Sequence, residues 1–265
     1  MLHTIKELER YSIHATDGVV GHVRGVYFDD ESWVVRYLVV DTGGWFANRK
    51  VLISPMSVTH LNRLDRSLSV SITRQQVKDS PDIDTNQPVS RQHERGYLGF
   101  YGYPYYWSRG GLWGEGSFPS LLLNVSEHGM AESDGQNALE RTQSMGEAGF
   151  EPGDDIHLRS CEAVVGYHIE ASDGDLGHVK GFVMEEGTWA IRYLVVSTSE
   201  WWLGHNVLIA VRWITKVSWL DDAVTVGLTR QAVKASPVYD QARLLDRGHE
   251  ESIFKHYKKT GYWAD

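Results

Sequence analysis

The stretch from Asp17 to Val40, DGVVGHVRGVYFDDESWVVRYLVV, recurs from Asp173 to Val196 as DGDLGHVKGFVMEEGTWAIRYLVV. The offset, 173 − 17 = 156 residues, holds without a gap from Ile13 and Ile169 through Asp84 and Asp240. A repeat of this length governs every other reading, because each copy must be one structural unit. The 265-residue chain is long enough for two modest domains, each with a small core.

Within each copy an Asp-Gly pair, Asp17-Gly18 or Asp173-Gly174, separates two β-prone runs, the signal of a tight hairpin. The run from Gly21 to Asp29 is followed by the acidic turn Asp30-Glu31-Ser32 and then by Trp33 to Val40. On that last strand Trp33, Val35, Tyr37 and Val39 share one face, and Val34, Arg36, Leu38 and Val40 the other. Both faces are largely apolar, so the strand is expected to be covered on both sides. Two further strands, KVLISP at 50–55 and SLSVSI at 67–72, have counterparts in NVLIAV and AVTVGL. Short strands separated by Gly-, Asp- and Asn-rich turns predict a mainly β fold of two small antiparallel β-barrels in tandem.

A capping box is read at Thr73 and Gln76, opening a short helix that ends by Ser80 before Pro81; Thr229, Ser236 and Pro237 repeat the start and stop. Residues 1–12 are expected to lead into the first barrel. Further on, His93-Glu94, Tyr101 and Tyr106-Trp107 match His249-Glu250, Tyr257 and Tyr262-Trp263 at the same offset. Asp246 caps a helix expected to end near Gly261, with Ile253, Phe254 and Tyr257 on its packed face. The expected domains are thus residues 1–107, a first barrel with an aromatic tail, and 156–265, a second with a C-terminal helix. A linker rich in Gly, Ser and acidic residues joins them at 108–155, with Leu121-Leu122-Leu123 as its apolar island.

A net charge of -9 opposes phosphate attraction, so direct nucleic-acid binding is not expected. No apolar run approaches the ~20 residues of a membrane span, and the start has no uninterrupted apolar signal region, so the expected location is cytoplasmic. The single cysteine, Cys161, excludes an intramolecular disulfide framework and reads as a packed residue.

The sequence holds no HExxH, G-x-S-x-G, Walker or dinucleotide-glycine pattern and no paired CxxC, so no catalytic residue, cofactor or metal site is assigned and the chain is read as a non-enzyme. Asp17 and Asp173 are read as turn formers bonding nearby backbone, His22 and His178 as strand-edge histidines, and Glu94 and Glu250 as complements to a helix dipole. A hydrolase would need Asp17 and His22 within hydrogen-bond reach. Arg36 and Arg192, set in apolar strands, require either an internal pair or a partner contact. Aromatic residues are in surplus, 10 Trp and 13 Tyr, and Trp45, Trp201 and Trp202 fall in strand-connecting loops. These five residues, Arg36, Arg192, Trp45, Trp201 and Trp202, are the candidate partner-binding positions.

The Asp-Gly, Gly-His-Val-Arg/Lys-Gly and Trp-x-x-Arg-Tyr-Leu-Val-Val elements, with LTRQAVKASPVYD at 228–240, resemble the PRC-barrel family, named from the photosynthetic reaction centre. The resemblance covers both repeats and implies a barrel used for protein contacts more than for chemistry. Copy one carries Ser54-Pro55 where copy two has Ala210-Val211, so the barrels are expected to differ at that edge. The leading expectation is a non-enzymatic interaction or assembly module that binds a protein partner or a second copy as a homodimer. The alternatives are a small-ligand or ion-binding protein with its site between the barrels, and, by family analogy alone, a reaction-centre-associated factor.

Overall fold

The computed structural model of the chain describes residues 1–46, 49–81, 89, 91–107, 111–114, 116–119, 157–198 and 205–264, without the side chains of Trp45 and Gln92. In the first repeat the strands are β1 (Leu2–Thr4), β2 (Ser12–Ala15), β3 (Gly18–Asp29), β4 (Val34–Asp41), β5 (Lys50–Ile53), β6 (Val58–Asn62) and β7 (Ser67–Val70). In the second they are β8 (Leu158–Ser160), β9 (His168–Ala171), β10 (Gly174–Glu185), β11 (Ile191–Thr198), β12 (Asn206–Ala210), β13 (Ile214–Ser218) and β14 (Ala223–Val226). They form two seven-stranded sheets with one strand order, β5-β4-β3-β2-β7-β6 and β12-β11-β10-β9-β14-β13. The mainly β, two-unit fold expected from the repeat is what the chain adopts.

The long hairpin β3–β4 is the spine of the first sheet, in register from His22 opposite Asp41 to Asp29 opposite Val34. Its turn into β2 depends on Gly18, at φ 141, as the second copy depends on Gly174, at φ 132. Shifts of register between Val23 and Gly25 and between Tyr27 and Phe28 bend β3, the usual effect of a bulge. From Val34 to Val40 every residue of β4 is buried, as its two apolar faces require. One pairing in each sheet departs from the antiparallel expectation: β2 runs parallel to β7, and β9 to β14.

The seventh strand of each sheet comes from the other repeat. β1 pairs with β10, Leu2 opposite Glu185 and Thr4 opposite Val183, and His3 Nε2 lies 3.1 Å from Glu186. β8 pairs with β3, Asp29 opposite Leu158, and Arg159 Nε donates to Asp30 at 2.9 Å. The N-terminal strand therefore does not lead into the first sheet. The chain divides into two compact units, one of Glu7–Ser160 with Gly187–Ala190, the other of Met1–Lys6, Cys161–Glu186 and Ile191–Asp265. They are called here the repeat-one and repeat-two units.

Helix Arg74–Asp79 opens with the capping box read from the sequence, and Thr229 caps helix Arg230–Lys234. Asp17 and Asp173 act on these helices rather than on their own turns: each Oδ1 accepts from the first helical N–H, Arg74 or Arg230, at 2.7 Å. A carboxylate there meets both an orphan donor and the positive end of the dipole. Helix Arg247–His256 is capped by Asp246 and ends earlier than Gly261, because Lys258 is left-handed, φ 53, and Lys259 N–H returns to the Phe254 carbonyl. Cys161 is buried.

Candidate functional site

Helix Arg91–Tyr101 lies on the repeat-one sheet through its aromatic face. The Tyr97 hydroxyl accepts from Ser54 N–H at 3.1 Å and donates to the Leu52 carbonyl at 3.0 Å, tying the helix to β5. One turn earlier the helix places Glu94 beside the sheet. Its Oε1 accepts from the hydroxyls of Tyr37, on β4, at 3.1 Å and Tyr106, in the tail, at 2.6 Å. Its Oε2 accepts from Arg91 at 3.1 Å, and Arg91 also donates to the Tyr106 hydroxyl at 2.9 Å. Strand, helix and tail meet on one carboxyl group.

Arg36 is the neighbour of Tyr37 on β4 and closes the cluster. Its guanidinium lies over the Tyr106 ring, 3.7 Å from the centroid, with the Trp113 ring 4.6 Å away. It donates to the Leu112 carbonyl at 2.6 Å and to Ser32 Oγ at 3.0 Å. Asp29 is 3.9 Å from Nε, a charge contact too long for a hydrogen bond. Trp113, fully buried, donates its indole N–H to the Thr188 carbonyl at 2.8 Å. The segment that carries it is held by Gly114 N–H on the Tyr106 carbonyl at 2.8 Å.

Burial sets the electrostatics. It pushes the Glu94 carboxyl up to about 7, against the pull of Arg91, Tyr106, Tyr37 and Arg36 in the opposite direction. It raises Tyr37 and Tyr106 well above the ordinary phenol value, the Glu94 charge adding to the effect. Desolvation also lowers Arg36 from its ordinary value.

The same constellation stands in the repeat-two unit. Glu250 Oε1 accepts from Tyr193 at 2.6 Å and Tyr262 at 2.9 Å, and Arg247 lies 3.1 Å from Oε2. Arg192 lies over Tyr262 at 4.1 Å and Arg247 over Trp263 at 4.2 Å, as Arg91 lies over Trp107 at 4.2 Å. Arg192 also bonds Glu185, the counterpart of Asp29 and one methylene longer. The clusters differ in cover: the Arg36 side chain is 3% exposed and Arg192 20%.

Of the positions singled out from the sequence, Arg36 holds internal partners and Arg192 a half-buried ion pair. Trp201, Trp202 and the Trp45 side chain lie outside the described residues, as does the Leu121–Leu123 island. His22 is exposed, and His178 sits beside His168 at 4.6 Å with Nδ1 3.3 Å from the Gly166 carbonyl. Among the described residues no group of His, Cys, Asp and Glu could hold a metal ion, and no helix is long and apolar enough to cross a membrane. Glu94 and Glu250 are more than dipole complements; they are the hubs. Their signal was the shared 156-residue offset of Tyr37, Arg91, Glu94 and Tyr106 with Tyr193, Arg247, Glu250 and Tyr262.

Residues 3–74 match the PRC-barrel domain family. An uncharacterized protein of Deinococcus radiodurans strain R1 is 35% identical over 75 residues, covering 28% of this chain and 26% of the relative. The match thus spans about a quarter of that relative's length. The sheet built on the matched residues and the second sheet share one strand order, so the chain holds a PRC-barrel match at residues 3–74 and a second β unit that repeats its plan.

Proposed function

We propose that the chain is a non-enzymatic interaction and assembly module, and that its partner at the hairpin tips is a second copy of itself. The observation that carries this reading is a pair of equivalent leucines, Leu64 at the β6–β7 turn and Leu220 at the β13–β14 turn, 96% and 93% exposed. Single exposed leucines are ordinary, but here the same tip is apolar in both repeats.

Both turns are held rigid. Asn62 Oδ1 accepts from Leu64 N–H at 3.0 Å and Asp65 N–H at 3.1 Å, and Ser218 Oγ donates to Asp221 at 2.6 Å. Left-handed residues close each hairpin, Arg66 at φ 49 and Asp222 at φ 51. The first tip holds Arg63, Asp65 and Arg66 around Leu64, a net positive turn with Arg63 3.4 Å from Glu7, and the second holds Asp221 and Asp222 after Leu220. Opposite charges around matching apolar knobs suit the first tip of one copy against the second tip of another, a reciprocal contact made twice in a dimer. Burying each leucine contributes about 2 kcal/mol. The PRC-barrel match supports a non-catalytic β module and is compatible with this role.

Sedimentation velocity over a range of concentrations tests the proposal. The wild-type chain is expected to associate, and Leu64→Ser with Leu220→Ser to remain monomeric, with the wild-type melting temperature at concentrations where both are monomers. A wild-type chain that stays monomeric, or a double variant that associates equally well, removes the reading.

A further inference from the structure

The two carboxyl-centred clusters have the same floor and different roofs. In the repeat-one unit Arg36 lies against both Tyr106 and Trp113, whose rings are inclined 69° to one another, with the Leu112 carbonyl on its guanidinium at 2.6 Å. The roof is a tightly turned segment in which Gly111 N–H bonds the Gly114 carbonyl at 2.7 Å and Trp113 N–H the Gly116 carbonyl at 2.9 Å. Beneath it Tyr106 is buried and Arg91 is 7% exposed. In the repeat-two unit the floor residues Tyr262, Arg192, Trp263 and Arg247 repeat the stacking, yet Tyr262 and Trp263 are half-buried and Arg247 is 46% exposed.

We propose that the Arg192–Tyr262–Trp263–Arg247 face of the repeat-two unit is a docking site for a glycine-flanked tryptophan segment of a partner protein, the chemistry that Gly111–Gly116 supplies within the repeat-one unit. The proposal rests on the interaction reading above but on other residues, so the two can fail separately. The template names the occupant. An indole ring set at an angle to the tyrosine meets the same arginine, and the carbonyl preceding the tryptophan accepts from that arginine. The glycine after the tryptophan, Gly114, takes a left-handed φ of 70, a conformation that favours glycine. Arginine stacked on an aromatic ring is a preferred element of recognition surfaces, and a carbonyl acceptor suits it without adding charge. Arg192 donates from Nε and Nη2 to one Glu185 oxygen, which fixes the guanidinium over Tyr262 before a partner arrives.

The test titrates the full-length chain with a fluorescent, end-blocked peptide of the sequence Gly-Leu-Trp-Gly-Glu-Gly. Saturable binding is expected below about millimolar concentration, the scale of a single anchored side chain. The peptide with alanine for tryptophan is expected to bind about tenfold more weakly, and Arg192→Lys to weaken binding by a similar factor. Arg36→Lys and the Leu64→Ser, Leu220→Ser double variant are expected to leave binding unchanged. In the wild-type chain the Trp263 indole N–H resonance should move on titration and that of Trp113 should not, a readout independent of how any variant folds. Absence of saturation, equal binding of the alanine peptide, or a moving Trp113 resonance in place of Trp263 overturns the assignment.

Discussion

Glu94 brings a carboxyl group, both oxygens bonded, into a place that water does not reach, and the consequence is read in pH. Its folded-state value of about 7 lies above the ordinary 4.5, so the folded chain holds a proton that the unfolded chain releases. The resulting stability is fully present below 4.5 and is lost as pH rises through 7, by at most about 3 kcal/mol. Arg91 and Arg36, with the hydroxyls of Tyr37 and Tyr106, face the group and restrain that loss. Glu94→Gln, a neutral isostere, is expected to flatten the fall in melting temperature between pH 5 and 8, and a variant with the wild-type slope would refute the account. Arg36 and Arg192 separate in the same way. Arg36→Ala removes two hydrogen bonds and two ring contacts from a buried site and is expected to cost about 3 kcal/mol. Arg192→Ala breaks a partly exposed pair and should cost about 1 kcal/mol; chemical denaturation of both variants measures the difference. The sequence marks all of these residues by their offset, but desolvation depends on cover from Trp113, 113 − 101 = 12 residues beyond the end of the matched helix, and no local pattern shows it.

At the scale of elements, the features legible in the sequence are those fixed by local chemistry: the Asp-Gly hairpins, the Thr73 box, the Asp246 cap and the doubly covered β4. The features that were not legible are choices of partner. A three-residue strand such as β1 has no period that tells one sheet from another, so Leu2–Thr4 could not be assigned to β10. The aspartate in each turn bonds a backbone N–H 57 residues away for the same reason. Two elements give direct tests. Trp113 is wholly buried and bonded through its indole N–H, so Trp113→Ala is expected to destabilise by about 3–5 kcal/mol and to raise the accessibility of Arg36. Deletion of Met1–Thr4 should quicken amide exchange in β10 at Val183 to Glu185 and leave the hydrogen bonds of β3 with β8 protected. Faster exchange in β3 instead would mean that the strand belongs with its own repeat.

At the scale of the molecule, the chain passes from one compact unit to the other after Lys6, Ser160, Glu186 and Ala190. The segment Gly187–Ala190 joins β10 to β11 of the repeat-two unit while belonging to the repeat-one unit, where Trp189 accepts from Val35 N–H at 2.9 Å and Ala190 bridges Val34. A strand and a hairpin connection of one repeat are thus structural parts of the unit built on the other. Unfolding the repeat-two unit pulls β1 and the β10–β11 connection, and unfolding the repeat-one unit withdraws Gly187–Ala190 and β8 from their ladders. Each loss removes backbone hydrogen bonds from buried strands, so partial unfolding leaves donors and acceptors unsatisfied at a cost of about 1–3 kcal/mol for each group. The expectation is one calorimetric transition for the whole chain, with calorimetric and van't Hoff enthalpies equal, although a tandem repeat by itself predicts two independent transitions. Replacing Ala190 by proline removes the N–H that donates to Thr188 Oγ1 at 3.3 Å, beside the bridge to Val34, and should broaden or split that transition. Two resolved transitions already present in the wild-type chain would show that the exchanged strands do not couple the units.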